Sequence, residues 1–385
     1  RIKKKKVEAV RSSAVLVDCG SGHTSVIFYS YDSATATARQ HARSSIKQAD
    51  GGNIPLTDVL LPSMEPEQKF AEFISKLKEA LAGQEELLRP SILYVGATGG
   101  VRAAFESGKI NEAKVEAFRL ALLTAFQEVP VVRFEVLSGK QEAALELSAA
   151  QIIWGAKSAA LFPSSQSQPQ PQPLKSLSSA SAPAASRPIG LFSGGGQSMQ
   201  LGRVGHDPLS FPFSTFTAEL EERDGAAADA WQDPVKWGRF TQSLTDKVAA
   251  EAARLEPFEG CYVGTSMNHR AALYCGLAET PLSAARAVEQ LQAALPQLME
   301  QKGPLYDKMM STPHAPSYPL CRISAMHTFR LATVLRLMFD PQAQLYFAAK
   351  GTVAEGAEGA EGEMPMDCEW TLGAFVREAA AAAAE

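Results

Sequence analysis

Two short glycine-rich segments, one in each half of the chain, contain the residue types that bind phosphate groups. The first, VDCGSGHTS at 17–25, includes Asp18 at the end of an apolar run, and the second, FSGGGQSMQ at 192–200, follows another apolar run. Successive backbone N–H groups in such turns form an anion-binding concavity, glycine lets the backbone approach the ligand, and hydroxyls add donors. The pair predicts two loops that hold a polyphosphate from both sides; the alternative is two ordinary hairpin turns.

The elements that would position these loops alternate between strand and helix. Residues 15–31 have the pattern of strand, tight turn and strand, and 91–100 is a further apolar run ending in glycine and threonine. A helical pattern follows over 109–129, and 131–155 indicates a strand, a Ser-Gly turn and a helix that begins near Gln141. This alternation predicts an α/β architecture. The repeated strand-turn-strand unit suggests an internal duplication.

Composition narrows the class of protein. The chain has 385 residues, a net charge of −5 and 45% hydrophobic residues, which predicts two domains and gives no general reason to expect nucleic-acid binding. The basic RIKKKK cluster is expected to be a solvated tail, and a start at Arg1 suggests that something preceding it was removed. The five cysteines show no metal-type spacing, which favours a reducing compartment or organelle over secretion. No apolar run of the length of a transmembrane segment occurs.

Two low-complexity stretches divide the chain. Residues 158–187 are dominated by Ser, Pro, Gln and Ala, and we expect a disordered insertion there. The sequence therefore predicts a first domain over 1–157, which could also receive the C-terminal helix, and a second over 188–385 with a flexible acidic loop at 348–366.

Five segments taken in order resemble one known family. They are VDCGSGHTSVIFYSY, YVGATGGVR, EVLSGKQEAALELSAAQIIWG, SGGGQSMQL and, near the end, EWTLGAF. Their order and spacing are similar to those of the apyrases, or nucleoside triphosphate diphosphohydrolases, including the guanosine diphosphatases. The resemblance implies an actin-like ATPase fold, with two ribonuclease H-like domains around a nucleotide cleft. It also implies hydrolysis of terminal phosphates of nucleoside tri- or diphosphates with magnesium or calcium. The related exopolyphosphatases share the fold.

The resemblance assigns roles to both loops. Asp18 would hold the divalent ion through water, unless it only caps its turn. The phosphate-binding residues would be Gly20, Ser21, Gly22, His23 and Thr24 in the first loop, and Gly195, Gly196 and Gln197 in the second.

Glu142 falls at the position where the family has its general base. A carboxylate suits this role, because it can take the proton of a water that attacks phosphorus in line. The alternative is an ordinary first-turn residue that stabilises the helix dipole. Thr98, Ser198 and Gln200 would orient that water. Arg102 would brace the site or form a surface salt bridge.

One position departs from the family. In the register that aligns GGQSMQ with the family's GGASTQ, the second metal-holding aspartate falls on Ser193. A hydroxyl could still hydrogen-bond a metal-bound water, but one negative charge is lost. Three functions therefore stand. The first is an active apyrase-type phosphohydrolase, the second a degenerate structural subunit of a larger assembly, and the third an exopolyphosphatase.

Overall fold

The computed structural model describes most of the chain in separate stretches. These are residues 11–20, 22–32, 37–48, 51–63, 65–82, 90–155, 158–162, 188–194, 198–212, 233–277, 280–300, 302–311, 320–348 and 368–384. Several sequence predictions lie outside them, namely most of the insertion at 158–187, nearly all of the loop at 348–366, Ser21, Gly195, Gly196 and Gln197.

The first sheet has five strands in the order β3-β2-β1-β4-β5. The strands are β1 Arg11–Cys19, β2 Thr24–Asp32, β3 Thr37–Ser45, β4 Ile92–Ala97 and β5 Val131–Val136. Strands β1 to β3 form an antiparallel meander, whereas β4 runs parallel to β1 and β5 parallel to β4. Every residue of β4 is buried, as the continuous apolar run of a covered parallel strand requires.

The second sheet has six strands in the order β10-β11-β9-β6-β7-β8. They are β6 Ile189–Gly194, β7 Ser198–Gly202, β8 Leu209–Pro212, β9 Cys261–Ser266, β10 Leu282–Ser283 and β11 Gln344–Phe347. Strand β6 lies between antiparallel β7 and parallel β9. Strand β1 has the same surroundings, between antiparallel β2 and parallel β4, so the two sheets repeat one central arrangement.

Twelve helices accompany the sheets in the described part of the chain. They are α1 Leu56–Leu60, α2 Pro66–Ala82, α3 Gly99–Glu106, α4 Glu112–Ala125, α5 Gly139–Trp154, α6 Ser158–Leu161, α7 Pro234–Ala252, α8 Met267–Tyr274, α9 Ala284–Glu300, α10 Pro304–Met310, α11 Leu320–Met338 and α12 Trp370–Ala384. No helix among the described residues combines the length and the apolar character that a membrane crossing requires.

Helices α5 and α12 connect the two sheets. Helix α12 lies against β1 and β2, α5 lies against β6, β7 and β8, and the two helices pack on each other. The ring of Tyr29 on β2 stacks on Phe375 of α12, with 5.1 Å between centroids. One apolar core therefore runs from sheet to sheet through the two helices and includes Ile27, Tyr94, Leu145, Trp154, Leu191, Val263, Leu372 and Phe375.

Gly373 sets the distance between α5 and α12. A Cβ atom at this position would lie 1.9 Å from the backbone carbonyl oxygen of Leu145, an atom that cannot move without distorting α5. Close packing of the two helices therefore requires a glycine at the last position of the WTLG segment. The described cysteine side chains, Cys19, Cys261, Cys275 and Cys368, are buried as free thiols.

We expect Gly373→Ala to lower the free energy of unfolding by at least about 2 kcal/mol, because overpacking at a rigid contact forces backbone shifts. Urea unfolding followed by circular dichroism measures it. The matched control is Gly238→Ala in α7, where an added Cβ meets no atom within 4 Å. That substitution should stabilise the chain by about 0.5–1 kcal/mol through helix propensity. Equal stability of the two variants would contradict the close contact.

Candidate functional site

A small polar cavity of about 90 Å³ lies where the two sheets meet. Its lining comprises Asp18, Thr98, Glu142, Glu146, Ser193, Ser198, Gln200, Ser266, Glu369 and Trp370. The residues predicted for metal binding and water activation, Asp18, Thr98, Glu142, Ser193, Ser198 and Gln200, are thus brought together from both halves of the chain. The lining contains four carboxylates and, among the described residues, no lysine or arginine.

Strand ends position the polar side chains around the cavity. Asp18 is the penultimate residue of β1, and Ser193 is the penultimate residue of β6. Thr98 follows β4 directly, and its backbone N–H donates to the carbonyl of Cys19 at 3.1 Å. Because the carboxyl ends of parallel neighbours meet at one edge of a sheet, such edges are the usual ligand sites of open α/β folds. In this chain two such edges face the same cavity.

A capping box places Glu142 in the first turn of α5. The backbone N–H of Gln141 donates to Ser138 Oγ at 3.2 Å, and the backbone N–H of Ser138 donates to Gln141 Oε1 at 2.9 Å. This reciprocal pair fixes where the helix begins. Glu142 is the next residue, and its side chain lines the cavity.

Arg102 forms an ion pair with Glu142. Its Nη1 donates to Glu142 Oε2 at 3.1 Å and to the carbonyl of Leu137 at 2.8 Å. Burial raises the pKa of Glu142, the charge of Asp18 raises it further, and the Arg102 guanidinium and the Gln200 amide lower it. Desolvation is the largest of these causes, so the carboxyl binds a proton more readily than an exposed glutamate. Arg102 is thus a brace for the site rather than a surface ion pair.

Trp370, the first residue of α12, fixes the orientation of Asp18. Its indole Nε1 donates to Asp18 Oδ1 at 2.9 Å across 352 residues of sequence. The indole packs against Gly96, where an added Cβ would lie 2.2 Å from the ring, and against Tyr94 at 5.7 Å between centroids. The sequence analysis noted the WTLG segment as a family resemblance but gave Trp370 no role at the site.

Glu369 brings a further carboxylate to the cavity. Its two oxygens accept from Arg43 Nη1 at 3.2 Å and Nη2 at 3.3 Å, which is a bidentate pair. Arg43 lies on β3, so the ion pair ties the start of α12 to the edge of the first sheet. Spacing along the chain gave no signal for Glu369.

Glu146 is the second glutamate of α5 in the lining. It lies four residues after Glu142 and therefore on the same helix face. Its Oε1 accepts from Ser193 Oγ at 3.3 Å, and both residues are buried. Nearby, Gln200 Nε2 donates to Ser198 Oγ at 2.7 Å. The spacing of the two glutamates was visible in the sequence, but the neighbour of Glu146 was not.

The described residues of the first loop lie outside the cavity lining. The backbone N–H of Gly20 donates to the carbonyl of His23 at 3.0 Å, while Gly22 and His23 are exposed. The hydroxyl of Thr24 donates to the carbonyl of Ile54 at 2.8 Å, which gives it a structural contact. Burial, with the charge of Asp18, raises the pKa of the Cys19 thiol, so this cysteine stays protonated.

Ser266 has the one strained backbone conformation found at a non-glycine residue in the described part of the chain. Its φ of 63° and ψ of −127° lie in a region that side chains rarely adopt, and it caps the start of α8. Such strain is often retained at ligand sites. Among the described residues, no group of three or more His, Cys, Asp or Glu side chains is arranged to hold a metal ion directly.

No protein-family model matches the chain, and no curated protein matches it. Solved structures from Aquifex aeolicus do. A Ppx/GppA family member is 14% identical with a TM-score of 0.58, over 97% of this chain and 99% of that one. A PPX-GPPA enzyme is 13% identical with a TM-score of 0.55, over 96% and 100%. The type II variant of a Ppx/GppA phosphatase is 14% identical with a TM-score of 0.54, over 95% and 99%.

At this identity the likeness shows the fold. The two sheets with their helices match the two-domain, actin-like architecture of these neighbours, so the predicted fold class is confirmed. The similar structures belong to the Ppx/GppA family, which is related to the apyrases but is a different family. The resemblance to apyrases therefore predicted the correct fold, but the comparisons do not confirm the apyrase family.

We expect Trp370→Phe to lower the free energy of unfolding by at least about 1.5–3 kcal/mol, because a phenyl ring cannot donate to the Asp18 carboxylate and lacks the outer indole atoms that contact Gly96. Chemical unfolding measures the change. The control is Trp237→Phe, since Trp237 packs on Phe240 and Phe329 through its ring. A loss no larger than in that control would show that the indole N–H contributes nothing.

Proposed function

We propose that this chain is a metal-dependent phosphohydrolase that removes terminal phosphate groups from phosphoanhydrides, with Glu142 as the general base. The observation that carries the proposal is the cavity that joins a buried glutamate with raised pKa to Asp18, Thr98, Ser198 and Gln200. The fold it shares with Ppx/GppA proteins, among them a phosphatase, supports the same class of reaction.

In the proposed reaction, the oxygen of a water molecule forms a bond to the terminal phosphorus while the bridging P–O bond breaks. The leaving phosphate keeps the bonding electrons, and the proton of the water passes to Glu142. Thr98, Ser198 and Gln200 would orient the water and the phosphoryl oxygens through hydroxyl and amide groups. General base catalysis of this kind contributes about 10²–10⁴-fold to a rate.

A cation is needed because the lining is acidic and the substrate is a polyanion. Carboxylate and hydroxyl oxygens suit a hard divalent ion such as magnesium or calcium, so the lining fits the group. Asp18 would hold it through water. When bound, such an ion neutralises charge on the phosphoryl oxygens.

The size and chemistry of the cavity favour inorganic polyphosphate over a nucleotide. About 90 Å³ is well below the about 300–1,000 Å³ of pockets that enclose drug-sized ligands, so the cavity suits a terminal phosphoryl group better than a nucleoside. Among the described residues of the lining, Trp370 is the one aromatic side chain, and its indole N–H donates to Asp18. The described lining therefore holds no clamp for a base, and an exopolyphosphatase activity follows more naturally than the apyrase activity first expected.

We expect the chain to release phosphate from inorganic polyphosphate with magnesium or calcium, faster than from nucleoside di- or triphosphates. Glu142→Gln should lower kcat by at least about 10²-fold, because the amide cannot accept the proton. The control Glu112→Gln removes a similar charge from an exposed position on α4 and should retain activity.

Hydrolysis that survives Glu142→Gln would rule out this mechanism. If the unaltered chain hydrolyses neither inorganic polyphosphate nor nucleoside di- or triphosphates, the remaining candidate is a degenerate subunit that retains the fold without the activity.

A second expectation concerns pH. The base acts when deprotonated, so activity falls as the pH drops through the pKa of Glu142, and burial places this fall above the range of an ordinary glutamate. Arg102→Gln removes the largest influence that lowers this pKa, so the acidic limb of the kcat profile should move to higher pH. Arg119→Gln on α4, which breaks an exposed pair with Glu116, is the control. An unmoved or lowered limb in Arg102→Gln would contradict the assigned base.

A further inference from the structure

The two halves of the cavity are built on one plan but carry different groups at equivalent positions. Asp18 in β1 pairs with Ser25 of antiparallel β2 and with Gly96 of parallel β4. Ser193 in β6 pairs with Gln200 of antiparallel β7 and with Thr265 of parallel β9. Ser193 is thus the counterpart of Asp18 in the second sheet, and it presents a hydroxyl where the first sheet presents a carboxylate.

A carboxylate nevertheless lies next to this hydroxyl. Glu146 reaches the cavity from α5, and its Oε1 accepts from Ser193 Oγ at 3.3 Å. Only 6% of Glu146 is exposed, so the group is held in the interior and not in bulk water. The charge missing from the end of β6 is therefore present at nearly the same place, delivered by a helix instead of the strand.

Packing alone does not favour a glutamate at this helix position. Its neighbours on α5, Leu145, Ala149 and Ala150, are buried apolar residues, and a carboxylate among them is costly to desolvate. The Glu146 carboxylate also lines the polar cavity, where its oxygens are ligands of the kind that divalent cations prefer.

We infer that Glu146 supplies the second acidic group of the cation site, in place of the aspartate that Ser193 lacks. Asp18 and Glu146 would hold the hydrated ion together, with Ser193 orienting the Glu146 carboxylate. The inference rests on the proposed function, because a metal-dependent reaction gives the ion its purpose. It concerns ion binding, which can be measured without any substrate.

The experiment measures binding of Mn²⁺ alone to the intact chain by electron paramagnetic resonance. Glu146→Gln keeps the size and the acceptor oxygen of the side chain, and we expect it to raise the Kd for Mn²⁺ at least about tenfold. Glu112→Gln, which removes a surface charge, should leave the Kd unchanged. Thermal unfolding without metal checks that both variants fold.

A relocation variant separates charge from packing. Glu146→Ser combined with Ser193→Asp moves the carboxylate back to the end of β6, and we expect it to bring the Kd to within about threefold of the unaltered chain. Glu146→Ser alone should stay weak.

The inference is overturned if the unaltered chain does not bind Mn²⁺, if Glu146→Gln binds it equally well, or if the relocation restores nothing. Glu146-dependent binding without any hydrolysis would support the inference while counting against the proposed function. Hydrolysis that requires Glu142 but is indifferent to Glu146 would do the reverse.

Discussion

Negative charge buried between two sheets is the constraint around which this structure is arranged. Four carboxylates line one small cavity, and charge is expensive to bury unless donors or cations surround it. Each of these carboxylates receives a hydrogen bond from a different element. Arg102 of α3 serves Glu142 on α5, Arg43 of β3 serves Glu369, Trp370 of α12 serves Asp18 on β1, and Ser193 of β6 serves Glu146. The hydrogen bonds that stabilise the buried carboxylates therefore also connect the strands and helices that carry them.

Helices α5 and α12 make this arrangement possible because each packs across the division of the chain. Helix α5 follows the first sheet in sequence but covers the second, and α12 follows the second sheet but covers the first. Because each helix covers the sheet of the other half of the chain, Glu142 and Glu146 reach the end of β6, and Trp370 reaches the end of β1. Gly373, at the point where the helices touch, allows the short separation that keeps all these groups around one cavity.

The sequence was informative where chemistry follows local pattern. The strand-turn-strand units before and after Asp18 and Ser193, the Ser-Gly turn before Glu142, and the alternation of strands and helices each depend on neighbours within a few residues. Six predicted site residues accordingly line the cavity.

Glu146, Ser266, Glu369 and Trp370 were missed as site residues. Trp370 meets Asp18 across 352 residues, and Glu369 meets Arg43 across 326, so no spacing rule applies. Thr24, predicted as a phosphate donor, donates its hydroxyl to the backbone carbonyl of Ile54, a contact that its place in a loop did not indicate.

The two sides of the cavity divide the chemistry unequally despite their common strand order. The groups from β1, α5 and the start of α12 are acids and their donors, whereas Ser193, Ser198, Gln200 and Ser266 of the second sheet are neutral hydroxyls and an amide. Neutral donors can hydrogen-bond phosphoryl oxygens without repelling them, while acids serve the cation and the attacking water. Ser193 fits this division, because it presents a neutral hydroxyl from the second sheet while the carboxylate that accepts its hydrogen bond, Glu146, comes from α5.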